Sequence, residues 1–354
     1  MAVSRRAGIV LLSALLACSG STSPAPPSRT YRMGFSAIPP RNDLATALQG
    51  LNLWTSGHAD AAIMHVSVPY AALLNGISVH QEVDSNELGL ANYYHAKGLP
   101  LFITVDVTNG LNRAKEDPYL DSIGRSITDT AIQRLYVDYV LTLDTILHPS
   151  YLGLAAETNL IRAAAADSVY QAVVVMTNAA AARLQGLSGA PPLYVSVQVE
   201  VAWGKLQNTG YVGIAQDFAD FPFVDAIGLS SYPYLGGFAV PESLPLDYYS
   251  RVVAGHSTPT LVVEGGWPSV SAGPVVSSPA LQVRYLDRES RLLDSARSVA
   301  LFQLTFADLD LSTFTLPPGS ILPLFAHLGV VDSAFGAKPA LAAWDSILAR
   351  RRLP

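Results

Sequence analysis

The feature that most narrows the possible folds is a repeated alternation. From residue 31 onward, short apolar runs exchange with stretches of helical character, eight times over. The apolar runs fall at 31–38, 61–68, 101–107, 152–156, 193–199, 224–231, 260–263 and 299–306. Helical stretches at about 44–53, 87–97, 128–147, 167–187, 211–219, 247–253, 280–293 and 338–350 separate or follow them. A run that is apolar throughout suits a strand buried on both faces. Strand–helix–strand order makes neighbouring strands parallel, joined by right-handed crossovers. Eight such units favour closing the sheet on itself. The expected fold is therefore α/β, a single TIM (β/α)8 barrel spanning 31–354.

Composition agrees with one large core. Half of the 354 residues are hydrophobic and 14% are charged, which is not the balance of a disordered chain. The net charge of -6 and the scarcity of lysine argue against nucleic acid as a partner. There is one cysteine, Cys18. That excludes a disulfide framework and a cysteine-based zinc site. No glycine-rich nucleotide loop follows any strand. No cofactor or metal is expected, and the chain is read as a monomer.

The first residues read differently. Arg5 and Arg6 precede an apolar stretch at 8–16 that is too short to span a bilayer, the pattern of an export signal at 1–17. Residues 18–30 are rich in Ser and Pro and read as a flexible linker. Leu15-Leu16-Ala17-Cys18 resembles the lipobox of bacterial lipoproteins. The resemblance implies cleavage before Cys18, lipidation of its thiol, and a lipid-anchored place in the cell envelope. Acyl chains would contribute ~0.8 kcal/mol per buried methylene.

Chemistry is expected where loops leave the C-terminal ends of the strands, because those loops surround the barrel mouth. Four carboxylates fall there: Asp106 near the end of the third run, Glu157 after the fourth, Glu200 after the fifth and Glu264 after the seventh. A carboxylate at the end of an apolar run is costly unless it is solvated or hydrogen-bonded. Several at one mouth shift each other's pKa values. Glycoside hydrolysis needs such a pair, one carboxyl protonated and one ionised. A separation of ~5–5.5 Å retains configuration and ~6.5–9.5 Å inverts it. Trp203, Tyr234 and Trp267 follow the fifth, sixth and seventh runs, where they could stack on sugar rings or pack in the core.

Two motifs carry a family likeness. Glu264-Gly-Gly-Trp-Pro-Ser269 resembles the nucleophile motif of plant-type β-1,3-glucanases. Asp225-Ala-Ile-Gly-Leu-Ser-Ser-Tyr-Pro-Tyr234 is similar to the sixth-strand signature of endo-β-1,4-galactanases. Both belong to the clan A retaining glycoside hydrolases. The resemblance implies Glu157 as acid/base and Glu264 as nucleophile, with Tyr232 orienting Glu264 through a hydrogen bond. It implies a β-linked carbohydrate substrate; by their places after the strands, Trp267, Trp203, Tyr234 and Asn159 are candidates for its binding, and Glu200 either binds it or supports the residues that do. The chain departs from the clan at two places. Ala156 stands where the clan has Asn before its acid/base, and Asn159 substitutes only if its loop bends back. Phe302, Gln303 and Phe306 occupy the end of the eighth run, where the clan carries Trp. Two alternatives stay open. One is a glycan-binding barrel without catalysis. The other is a divalent-metal lyase or isomerase built on Asp106, Glu157 and Glu200.

Overall fold

The computed structural model describes residues 27–353; the expected export signal, most of the linker and Cys18 lie outside them. Eight parallel strands form one sheet: β1 (Arg32–Phe35), β2 (Ala62–Ser67), β3 (Leu101–Asp106), β4 (Tyr151–Gly153), β5 (Leu193–Gln198), β6 (Ala226–Ser231), β7 (Thr260–Gly265) and β8 (Ala300–Gln303). Each strand pairs with its sequence neighbours, and β8 pairs back onto β1. The seam between β1 and β2 is closed by a single bridge, Ser36 to Ile63, and by Asp60 and Ala61, whose amides donate to the Met33 carbonyl. The result is the (β/α)8 barrel expected from the alternation.

The barrel interior is filled by unequal partners. Tyr194 and Phe302 project inward with Ile63, Phe102, Leu261 and Val263. Tyr194 needs room, and Gly153 on the adjacent strand provides it: a Cβ there would lie 2.5 Å from the tyrosine ring. The Tyr194 hydroxyl donates to the Ile103 carbonyl and contacts Thr104 Oγ1, so this buried polar atom is satisfied. The larger apolar layer lies between the strands and the outer helices.

Outer helices form where spacing and caps agree. Asp43 caps α1 (Leu44–Thr55) by accepting from the Thr46 amide. Ahead of α3 (Thr130–Leu147), which follows α2 (Leu88–Ala96), Asp129 does the same for Ala131. The Ala-rich α4 (Asp167–Gln185) follows β4. Ser278 and Pro279 open α5 (Pro279–Ser295), and α6 (Pro339–Leu348) closes the ring. The inner face of α5 buries Tyr285, Leu286, Leu292 and Leu293, and also Glu289. Glu289 Oε1 accepts from the hydroxyls of Tyr285 and Tyr249, while Oε2 has no partner. Burial pushes this carboxyl up to about 7.

The helix expected at 247–253 is absent. Only turns and short 3-10 segments lie between β6 and β7. The Tyr248 carbonyl, which would meet the Val252 amide in a helix, accepts instead from Trp203 Nε1, and the Val252 amide donates to the Tyr249 carbonyl. The fourth and eighth strands are shorter than their apolar runs, and the short helix expected at 211–219 is confined to Ala215–Asp220. At the closed end of the barrel, Ser28–Arg29 pairs in parallel with Arg351–Arg352. Buried Arg29 donates to Asp60 and to the Leu348 carbonyl, which ties both ends of the described chain to the same face. Among the described residues, no helix is long and apolar enough to cross a membrane.

Candidate active site

The mouth at the C-terminal strand ends holds a cavity of about 290 Å3, lined on its polar side by Arg113, Glu157, Gln198, Tyr232 and Glu264. Glu264 arrives directly on β7, opposite Ser230 of β6, just past a register shift in that ladder. Glu157 arrives by a sharper route. It follows β4 by four residues in the left-handed conformation, φ 51°, and its amide donates to Ser196 Oγ. A non-glycine residue held there costs about 1–3 kcal/mol, the kind of backbone strain that collects at functional sites.

One hydroxyl joins the two acids. Ser230 Oγ lies 2.6 Å from Glu157 Oε1 and 2.8 Å from Glu264 Oε1. The two Oε1 atoms can be no farther apart than the sum of these lengths, about 5.4 Å, so both acids reach the same small region of the mouth. A hydroxyl carries one proton, so it can donate to only one of these oxygens. Both short contacts are satisfied when the other carboxyl is protonated and donates to Ser230 Oγ.

The charges around the pair say which carboxyl that is. Arg113 is buried in the loop after β3. It donates through Nε to Glu157 Oε2 at 2.8 Å and through Nη1 to Asp106 Oδ1 at 2.5 Å. This fork stabilises negative charge on Glu157. Glu264 has no such cation at contact distance. Burial, and then the charge of Glu157, push it up to about 7, while Arg113 and the Ser230 hydrogen bond pull the other way. Of the two acids, Glu264 is the one whose protonated form its surroundings favour.

The other expected residues are distributed differently. Tyr232 lines the cavity, but the hydrogen bond that orients Glu264 comes from Ser230. Glu200 is fully buried behind the wall. It accepts from Gln198 Nε2, the Tyr248 and Ser231 hydroxyls and the Tyr232 amide, and burial outweighs these to push it up to about 7. Its oxygens hold the floor of the site rather than a ligand. Asn159 clamps the Gln198 backbone, accepting from its amide and donating to its carbonyl, so it does not stand in for the asparagine absent at Ala156. Trp267 is buried, with Nε1 donating to Ser277 Oγ, and the buried Tyr234 donates to the Leu324 carbonyl. Trp203 is outside the cavity wall, stacked on Tyr248 at 5.1 Å. These aromatic rings build the wall from behind. The set of Asp106, Glu157 and Glu200 does not assemble, since Arg113 joins the first two and Glu200 faces away. Arg113, Ser230 and Gln198 were missed in sequence. Ser230 sat inside a quoted motif, but nothing marked Arg113 apart from the length of its loop.

No protein-family model matches the chain. Among curated proteins, a flagellar L-ring protein from Jannaschia sp. (strain CCS1) is 29% identical over 127 residues, covering 32% of this chain and 50% of that protein. Solved structures match far more of it. An exo-β-1,4-mannosidase from Opitutaceae bacterium strain TAV5 superposes with a TM-score of 0.67 at 17% identity, over 91% of this chain and 59% of the mannosidase. A fungal β-1,4-galactanase gives 0.59 at 16% identity, over 90% of this chain and 99% of its own. A β-glucuronidase from Ruminococcus gnavus gives 0.54 at 16%, over 89% and 49%. The barrel is shared with glycosidases. At these identities the likeness is one of fold, and the chemistry has to be argued from the site.

Proposed function

We propose that the chain is a retaining glycoside hydrolase acting on a β-linked substrate through Glu157 and Glu264. The observation that carries this reading is the Glu157–Ser230–Glu264 bridge, which brings two carboxyls from different strands to one side of the cavity and so supports an acid and a nucleophile working as a pair. With Glu157 as acid/base and Glu264 as nucleophile, the proton must cross the bridge when the sugar docks. Ser230 gives its hydroxyl proton to Glu157 and takes the proton of Glu264. Arg113 slackens from Glu157 while its second ion pair, to Asp106, holds it in place. Glu157 then protonates the glycosidic oxygen as Glu264 attacks the anomeric carbon. In the second step Glu157 removes a proton from water, which releases the sugar with its configuration retained.

A screen of 4-nitrophenyl β-glycosides, with product anomers followed by NMR, tests this directly. Turnover with a β-configured first product is expected, with losses of at least about a thousandfold in Glu157→Gln and Glu264→Gln. An α-configured first product would refute the double displacement. A place in the cell envelope, held by acyl chains on Cys18, belongs to the same reading and is supported by the lipobox-like sequence. Labelled palmitate should enter the full chain and fail to enter Cys18→Ala.

A further inference from the structure

The remaining walls of the cavity bear on what the sugar is attached to. Nine of the fifteen lining residues are Leu, Ile or Phe. Ile38, Leu111, Leu206 and Ile321 come from the loops after β1, β3, β5 and β8, and each is 37–43% exposed at the rim. Single exposed aliphatic residues need no explanation, but four from separate loops around one mouth form an apolar patch with a purpose.

The polar inventory agrees. Gln198 lines the cavity, but its Nε2 is given to Glu200 and its Oε1 accepts the Val201 amide. Arg113 is held by Glu157 and Asp106. Beyond the two carboxyls, the Tyr232 hydroxyl, Arg113 Nη2 and the second N–H of Gln198 are the polar groups on the wall without such a commitment. One sugar ring finds partners in that set. A second would bring several hydroxyls against leucine, at a cost of about 1–3 kcal/mol for each one left unpaired. No tryptophan lines the cavity to receive a sugar face. Its volume of about 290 Å3 is room for roughly ten water molecules, enough for one ring and a small apolar group.

We propose that the substrate is a β-glycoside of a small apolar alcohol or phenol, with the aliphatic wall receiving the aglycone. This rests on the hydrolase reading and extends it to a substrate class.

The test uses the full chain and matched pairs of methyl and hexyl β-glycosides of glucose, galactose, mannose and glucuronic acid. Alkoxide leaving groups keep reactivity nearly constant along each pair. A β-linked disaccharide of the same sugar and a glycolipid in phosphatidylcholine vesicles complete the panel. Burial of each methylene is worth about fourfold, so hexyl should exceed methyl in kcat/KM by about fiftyfold or more, with the disaccharide well below hexyl. Leu111→Ser combined with Ile321→Ser should collapse the hexyl-to-methyl ratio to below about tenfold. Equal rates for hexyl and methyl, or preference for the disaccharide, would overturn the aglycone proposal and leave the hydrolase reading standing. Preference for the vesicle glycolipid would overturn the small-aglycone assignment in favour of a bilayer lipid. No turnover of any member, activated 4-nitrophenyl glycosides included, would overturn the hydrolase reading and the aglycone proposal with it.

Discussion

Replacing Glu289 by Gln isolates the effect of burial on one carboxyl outside the active site. Glu289 is fully buried on α5, bonded through Oε1 to two tyrosine hydroxyls and unpartnered at Oε2. Its pKa rises from an ordinary 4.5 to about 7. At about 1.4 kcal/mol for each pH unit, the displacement corresponds to about 3 kcal/mol. The sign follows from proton counting. Below pH 4.5 both folded and unfolded chains hold the proton, and stability is complete. Between pH 4.5 and 7 the unfolded chain releases it and the folded chain does not, so stability falls as pH rises. Above pH 7 the loss is complete. Glutamine cannot release a proton, so the variant lacks this loss. Its amide nitrogen, sited where Oε2 is now, lacks a partner as the protonated Oε2 of the parent does, so this cost is common to both proteins at low pH. The stability of the variant relative to the parent should therefore rise by about 3 kcal/mol between pH 4.5 and pH 8. Urea unfolding of both proteins across this range, at constant ionic strength, reads the difference. Glu200 and Glu264 titrate in both chains and cancel. Parallel stability–pH curves for parent and variant would refute the assignment of a raised pKa to Glu289.

Three further outcomes are expected. Arg113→Met leaves the buried Glu157 and its neighbour Asp106 without their shared cation, so it should cost about 3–5 kcal/mol near neutral pH, as urea unfolding of parent and variant would record. Ser230→Ala removes the hydroxyl between the two acids, and kcat on a turned-over β-glycoside should fall by about a hundredfold with KM little changed; an unaltered kcat would sink the relay. Gly153→Ala places a Cβ 2.5 Å from the Tyr194 ring, and the overpacked interior should lose about 1–3 kcal/mol in chemical denaturation.

The barrel was legible because short apolar runs alternate with longer amphipathic stretches eight times, although any one run taken alone could have been a buried helix segment. β2, β3, β5 and β6 start and stop within two residues of their apolar runs. What the sequence concealed is competition for backbone carbonyls. Residues 247–253 have helical spacing, but Trp203 takes the Tyr248 carbonyl that a helix would use. The positions of Glu157 and Glu264 at strand ends were legible, and the structure brings them together. The shell around them was not. Glu200 looks like a ligand-binding group from its place after β5, yet that same place turns it into the hydrogen-bonded floor. The aromatic residues follow the right strands but point into packing, and strand position alone cannot tell mouth from wall. Arg113 comes from a long loop whose path no local pattern dictates.

The clasp between Ser28–Arg29 and Arg351–Arg352 gathers both ends of the described chain at one pole of the barrel. It sits at the N-terminal strand ends, whereas Glu157 and Glu264 open at the other pole. Whatever is joined to the chain at either end therefore meets the base, and the catalytic mouth is left clear of it.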